Sequence, residues 1–378
     1  MDHCDALIVG GGPAGSACAW RLIQAGMQVG ILDKKTFPRD KICAGWITPA
    51  VAETLALDLE TYSRHNVLQP IRAFRTGMIN GPEVLTRYDE TVSYGIRRCE
   101  FDHYLLQRSG ARLWLGEPLT DLKRKDGGWQ VNGRIHTPIV IGAGGHFCPV
   151  ARELGAELGR SEQVVAAQEI EFKLSNAQMA NMRIEADTPE LYFCQDLKGY
   201  GWCFRKGDYL NIGLGREDNH QLSRHIDNFI AFLDQRKRIS FSIPAHMKGH
   251  AYLLYRQRKP RRLYDNGILL IGDSAGLAYP QSGEGIRPAV ESALIAAEVL
   301  INANGDYTRA QLAAYETQLV EQFGVRQHNS GKMKLIPKPL LPYIAATMLG
   351  SGWLTRHIVL NRWFLHVRQR PLNHSGSI

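Results

Sequence analysis

The stretch Ala6-Leu7-Ile8-Val9-Gly10-Gly11-Gly12-Pro13-Ala14-Gly15 is an apolar run that breaks directly into glycines. Its four apolar residues read as a strand buried on both faces. Gly10-x-Gly12-x-x-Gly15 then has the spacing of a dinucleotide-binding turn. In such a turn Gly10 permits the bend, Gly12 lets the backbone approach a pyrophosphate, and Gly15 lets helix and strand pack closely. A helix is expected from about Ala14 to Ala25, aiming free N–H groups and the positive end of its dipole at the phosphate. A second apolar strand, Gln28 to Leu32, ends in Asp33, 23 residues after Gly10. That matches the roughly 20-residue offset of the acid that holds an adenosine ribose. Gly10, Gly12, Pro13, Ala14, Gly15, Asp33 and the adjoining Lys34 are the candidate nucleotide-binding residues.

The 378 residues suffice for a full core and, at about 150 residues per domain, for two joined domains. Met1-Asp2-His3-Cys4-Asp5 is not a basic signal-peptide start, and the apolar run after it is far shorter than the roughly 20 residues of a spanning helix. Seven cysteines (Cys4, Cys18, Cys43, Cys99, Cys148, Cys194 and Cys203) form no Cys-x-x-Cys pair. They indicate a reducing, cytoplasmic compartment without a disulfide framework or a zinc site. No spaced set of His, Asp and Glu suggests any other metal. The formal charge of +8 lies in residues 322–378, which hold eight Lys or Arg and no Asp or Glu. A basic tail is therefore expected, not a diffuse surface for nucleic acid.

Alternating stretches around 71–96 read as strands, Phe101 to Gly110 as a helix closed by glycine, and Arg112 to Trp129 as short strands. Pro138 to Gly142 and Gly267 to Ile271 are further buried strands, and residues 164–256 read as a β-rich insertion. A helix follows from about Arg287 to Asn302. Nucleotide-type elements at both ends imply an α/β fold with a discontinuous Rossmann-like domain (1–72, 96–160 and 262–310). A β-sheet domain (73–95 and 161–261) is inserted into it, and a helical C-terminus (311–378) follows.

Gly272-Asp273-Ser274-Ala275-Gly276, followed by Gly283-Glu284-Gly285-Ile286, is the second strong motif. An Asp at a strand end suits a polyol hydroxyl, and the later glycine turn presents backbone N–H groups at a helix start. With these segments residues 1–310 resemble the flavoproteins built like para-hydroxybenzoate hydroxylase, and within that class the geranylgeranyl reductase family. Lys41-Ile42-Cys43-Ala44-Gly45 resembles that family's cysteine loop beside the flavin. Tyr200-Gly201-Trp202-Cys203-Phe204-Arg205-Lys206-Gly207, continuing to Asn211-Ile212-Gly213-Leu214-Gly215, resembles its substrate-lining strand pair. Arg98-Cys99-Glu100-Phe101-Asp102 resembles the element that brings an arginine to the cofactor, and Gly276 stands where aromatic hydroxylases usually carry histidine.

The resemblance implies FAD as cofactor, reduced by NAD(P)H or an electron-carrier protein, and a hydrophobic, prenyl-like substrate whose carbon–carbon double bond is reduced. It assigns Ala44, Gly45, Arg98, Gly272, Asp273, Gly283, Gly285 and Ile286 to the flavin, and Cys43, Tyr200 and Trp202 to the reaction. Two departures stand out: Arg205 replaces the family's proline, and Gly142-Ala143-Gly144-Gly145 lacks the Asp that helps hold FAD and NADPH in hydroxylase relatives. His146 reads as a satisfied turn histidine. The alternatives on the same fold are a flavin monooxygenase, a halogenase (whose Trp-x-Trp-x-Ile-Pro signature is missing), and a non-enzymatic redox sensor that docks on membranes. The tail mixes its charge with apolar blocks around Leu340–Leu349, Trp353-Leu354, Ile358–Leu360 and Trp363–Leu365. Two readings stand equally: a helix lying in the inner-membrane interface, or a cap packed on the protein.

Overall fold

The computed structural model describes residues 1–159, 162–218, 221–244, 246–256, 260–326, 341–369 and 371–372. The chain divides into two compact units, one of residues 1–40, 99–163 and 252–328, the other of 41–98, 164–251 and 329–378.

The first unit is organised by a six-stranded sheet in the order Tyr264–Asp265, Ile268–Leu270, Val140–Gly142, Ala6–Val9, Val29–Asp33 and Arg112–Leu115. All neighbours are parallel except the Tyr264–Asp265 edge pair, with Ile8 opposite both Ile31 and Ile141. The four central strands are buried throughout. That explains why they read as unbroken apolar runs and not as alternations. Helices Pro13–Gln24 and Ile286–Ala303 pack against each other. Both bury runs of small residues, among them Ala14, Gly15, Ala17, Ala289, Ala293 and Ala296. A further helix, Arg309–Phe323, is anchored where the Tyr315 hydroxyl donates to the Leu270 carbonyl at 2.9 Å.

The second unit is built on a seven-stranded sheet in the order Lys248–Tyr252, Val165–Lys173, Tyr209–Arg216, Gly199–Lys206, Glu190–Phe193, Ala73–Met78 and Glu83–Arg87. Trp46–Ile47, Ser93–Ile96 and Leu68–Ile71 form a small second sheet. Because side chains alternate across a strand, Tyr200, Trp202, Phe204 and Lys206 share one face of the large sheet. Cys203, Leu210, Ile212 and Leu214 belong to the core of the other. The β-rich stretch 164–256 also holds a helix that the sequence reading did not single out, Leu222–Gln235, which buries Ile226, Phe229, Phe232 and Leu233. The helical spacing of those residues is present in the sequence, but the alternating strands on either side of it mask it.

The C-terminal segment folds back onto this unit. Helix Leu341–Gly350 and the wide, π-type helical turn Thr355–Phe364 contact the strands Ala73–Met78 and Glu83–Arg87. Ala345, Leu349, Val359, Leu360 and Phe364 are buried, and the Tyr88 hydroxyl donates to Asn361 Oδ1 at 2.7 Å. This part of the tail is a cap. Lys332, Lys334, Lys338 and Arg370 lie outside the described residues. Among the described residues no helix is long and apolar enough to cross a membrane.

The tightest contact of the first unit is at Gly15, where a Cβ would sit 1.9 Å from the Gly10 carbonyl oxygen. Gly15→Ala is expected to lower stability by about 1–3 kcal/mol through overpacking, seen as a fall in the urea unfolding midpoint. An unchanged midpoint would show that the turn opens without strain.

Candidate active site

The nucleotide end of the first unit is shaped by what side chains would block. Gly10 has φ +117°, and a Cβ there would lie 2.5 Å from the Ala143 carbonyl oxygen, in the segment that lacks the expected Asp. At Gly12, by contrast, the nearest atom to an added Cβ would be Arg39 Nη2 at 3.5 Å. Gly12 caps helix Pro13–Gln24 with no side-chain cap, leaving the first N–H groups to an outside acceptor. The Asp33 carboxylate is held at the adjoining strand end. Its Oδ2 accepts from the Gly11 N–H at 2.7 Å and its Oδ1 from the Lys35 N–H at 2.8 Å. Lys34 is exposed.

The second motif lies in the same unit. Gly272 has φ +60° and its N–H donates to Ser292 Oγ at 3.0 Å. Arg261, buried, donates from Nη1 to the Ser274 carbonyl at 2.8 Å and from Nη2 to His146. His146 thus meets, through Nδ1 and its carbonyl, the arginine that holds the Gly272–Gly276 turn, and its Nε2 lies 3.8 Å from Glu162 Oε2. Gly285 caps helix Ile286–Ala303, again with no side-chain cap, and a Cβ on it would meet Asp273 Oδ1 at 3.1 Å. Asp273, Gly285 and Ile286 are therefore together. Gly283, at φ +70°, leaves room for the Tyr252 hydroxyl, 2.3 Å from where a Cβ would be. Between these glycines Glu284 is buried, and neither carboxylate oxygen has a hydrogen-bond partner. Burial pushes its pKa up to about 8, more than the Arg287 guanidinium pulls it down.

The second unit holds the cysteine loop and the aromatic strand. The ammonium of Lys206, with no exposed surface, donates to the Ala44 carbonyl at 2.9 Å and the Ile96 carbonyl at 3.0 Å, and it pairs with Glu171. Gly45, at φ +71°, is pressed so closely that a Cβ would be 2.4 Å from the Ile96 oxygen and 2.7 Å from Lys206 Nζ. Burial acts to raise the Glu171 pKa, and the Lys206 ammonium outweighs it and holds the carboxyl low. The Cys43 N–H donates to Glu169 Oε1 at 2.6 Å. Trp202 donates from Nε1 to Asn211 Oδ1 at 2.7 Å. The indole lies over Gly213, where any Cβ would strike the ring at 2.2 Å and Glu169 at 2.8 Å.

Cys43, Ala44, Gly45 and Trp202 therefore converge, through Glu169 and Lys206, on one sheet face. Tyr200 stands 6.0 Å from Trp202 between ring centroids. Phe364 of the C-terminal segment touches Tyr200 at 5.3 Å and Trp46 at 5.8 Å. Arg98 is buried at the start of helix Arg98–Arg108. Arg205, the departure from the family pattern, reaches Met179 and leaves the Lys206–Tyr209 register intact. Sequence reading missed Glu169 and Phe364 as site residues, and it quoted Asn211 only as part of the substrate-lining strand pair. Glu169 and Glu171, two residues apart on a strand that otherwise alternates with apolar residues, were the available signal.

A family model described as an NAD(P)-binding Rossmann-like domain matches residues 8–47. A digeranylgeranylglycerophospholipid reductase of Methanosphaera stadtmanae is 29% identical over 357 residues, 86% of this chain and 84% of that protein. A menaquinone reductase of Mycobacterium tuberculosis is 28% identical over 318 residues, 79% of this chain and 77% of that protein. Over more than three quarters of its length the chain is thus similar to reductases of the geranylgeranyl and menaquinone type. Its fold is shared with a geranylgeranyl bacteriochlorophyll reductase-like protein of Thermoplasma acidophilum (TM-score 0.75, 19% identity, 97% of this chain and 98% of that one). A flavin-dependent brominase shares it too (TM-score 0.69, 16% identity, 97% and 93%).

The first unit fits the family's cofactor on its own evidence. Two uncapped helix starts, at Gly12 and Gly285, flank sites where glycine alone leaves space, and such starts attract phosphate and other electron-rich groups. Asp33 and Asp273 stand beside them as acceptors for hydroxyls.

Two measurements probe these anchors. A Glu284 carboxyl raised to about 8 favours its neutral form, so its stabilising contribution is full below about pH 4.5 and is lost as pH rises through 8. Glu284→Gln is expected to match wild type in thermal unfolding near pH 5 and to be more stable at pH 9, by on the order of a few kcal/mol. Equal curves at both pH values would show that Glu284 is not titrating. Lys206→Met, which removes one of the two ion pairs of Glu171 and the donor to two buried carbonyls, is expected to destabilise by about 3 kcal/mol in urea unfolding. A loss under about 1 kcal/mol would mean water replaces the ammonium.

Proposed function

We propose that the protein reduces carbon–carbon double bonds of a prenyl-type lipid. The observation that carries this reading is the aromatic face of Tyr200, Trp202, Phe204, Trp46 and Phe364 beside a half-buried thiol. Such a wall suits an extended hydrocarbon, which needs apolar contact and no hydrogen bonds. Support also comes from the relatives, whose names are those of reductases acting on prenylated lipids and on menaquinone. The brominase shows that the fold alone hosts other chemistries.

Bound FAD supplies the two-electron reduction. The chain's own residues bind, orient and protonate. Gly10, Gly12, Pro13, Ala14, Gly15, Asp33 and Lys34 take the adenosine diphosphate end. Gly272, Asp273, Gly283, Gly285 and Ile286 take the pyrophosphate, ribityl and ring-edge groups, and Ala44, Gly45 and Arg98 are further flavin-holding candidates. The aromatic wall positions the alkene and keeps water away, and Cys43 provides the proton. NAD(P)H or an electron-carrier protein is the reductant, and the missing Asp in Gly142–Gly145 favours the carrier.

The tail adds a docking surface for the membrane in which such a substrate resides. Tyr343 and Trp353 are 73% and 66% exposed, and Ile344 and Val367 are exposed with them. Exposed Arg362 and Arg368 lie in the same segment. Aromatic and basic side chains together suit an anionic bilayer interface.

The reductase reading is tested by reducing the purified protein anaerobically, adding a geranylgeranyl lipid, and following saturation by mass spectrometry. Oxygen-dependent hydroxylation of the lipid in place of saturation would establish the monooxygenase alternative, and flavin content without turnover would establish the sensor. Cys43→Ala is expected to lower kcat by roughly 10²-fold or more, the scale of a lost general acid, with flavin content unchanged. Undiminished turnover would take Cys43 out of the reaction.

A further inference from the structure

The loop that carries Cys43 is tied to the sheet by more than packing. Glu169 Oε1 accepts the Cys43 N–H at 2.6 Å, and the Gly45 N–H donates to Cys43 Sγ at 3.4 Å. Glu169 itself is only 5% exposed, and its second oxygen, Oε2, has no hydrogen-bond partner. Buried carboxylate oxygens are ordinarily satisfied. An open one, placed against the backbone of a half-buried thiol, points to function.

We propose that Glu169 is the positioning residue of Cys43, fixing the loop through the amide and keeping the sulfur in its thiol form, so that Cys43 is a proton donor and not a thiolate nucleophile. The use of that proton rests on the reductase reading. With FAD held by the first unit, reduction of the alkene would take one hydrogen with its electron pair from the flavin. The Cys43 S–H bond breaks to give the second carbon its proton, and water returns a proton to sulfur.

The electrostatics of the loop explain why a carboxylate is needed. Two cations stand at the loop. Lys41 belongs to the loop, its Nζ 2.7 Å from His250 Nε2, and Lys206 is bound to the Ala44 carbonyl. Glu171 pairs with Lys206, and Arg97 in turn pairs with Glu171 at 3.1 Å. Glu169 supplies the remaining negative charge directly on the Cys43 peptide. Burial raises its pKa to about 7, against the pull of Lys206, the Cys43 amide and Lys41. Its charge is therefore present in the range where an ordinary thiol, of pKa about 8.5, begins to ionise.

The test reads the thiol and requires no turnover. The full-length protein is alkylated with iodoacetamide from about pH 6 to 10, and the Cys43 peptide is followed by mass spectrometry. Glu169→Gln is expected to move the midpoint of the alkylation profile down by about one pH unit, making Cys43 up to about tenfold faster at pH 7. Glu169→Asp, which keeps the charge, is expected to stay near the wild-type midpoint. A purely structural role would raise the rate at every pH without moving the midpoint. That result, or coincident midpoints, overturns the proposal. Wild type gives a second reading if the Gln variant does not fold. Cys43 must alkylate no faster at pH 7 than free cysteine, and a faster rate overturns the proposal as well. Lipid saturation is scored separately, so a failed reductase assay with a shifted Gln midpoint would sink the function while leaving the thiol role standing.

Discussion

The second unit depends on one buried ammonium. Lys206 ends the strand Gly199–Lys206, and its Nζ gathers the Ala44 and Ile96 carbonyls and the Glu171 carboxylate where no water reaches. Taking an ammonium out of water costs several kcal/mol unless its protons are all placed. Three acceptors place them here. The result is a loop held to within a hydrogen bond's length of a sheet whose register is set by eight consecutive cross-strand pairs. Substitution by arginine would bring a planar fork into a site shaped for a compact cation, and Gly45, already 2.7 Å from Nζ where a Cβ would be, has no space to yield.

The first unit reaches its site by a different route, through backbone more than through charge. Its recognition elements are N–H groups at two helix starts and the Asp33 and Asp273 carboxylates at strand ends, and glycines leave the space around them open. This is why the nucleotide end was so legible in the sequence. A glycine spacing reports backbone geometry directly, since Gly10, Gly15 and Gly283 occupy positions that a Cβ would collide with or strain. The buried parallel strands were equally legible, because burial on both faces leaves no polar residue to interrupt the run.

The thiol site was less legible for the opposite reason. Cys43 and Trp202 were visible through short motifs, but Glu169 lies 126 residues from Cys43, and only strand pairing brings it opposite Gly213. The local signal, Glu169 and Glu171 two residues apart, does not say which of the two is buried. The helix Leu222–Gln235 was hidden similarly, its period drowned by the strands around it, although it supplies Ile226, Phe229, Phe232 and Leu233 to the core behind the aromatic face. Tail composition gave charge and apolarity but not which side of a helix is covered. The buried stripe of Ala345, Leu349, Val359, Leu360 and Phe364 decides that.

That stripe ties the cap to the chemistry. Phe364 is at once the last buried residue of the C-terminal turn and a member of the aromatic wall, in contact with Tyr200, Phe193 and Trp46. The exposed Tyr343, Ile344 and Trp353 belong to the same C-terminal segment whose inner side meets the wall. A displacement of the outer side of the segment is thereby transmitted to Phe364 through helices that share its packing. The segment need not be mobile for this to matter. A shift of about one ångström in a packed aromatic ring alters the shape offered to a hydrocarbon chain, because close-packed interiors transmit displacement and do not absorb it.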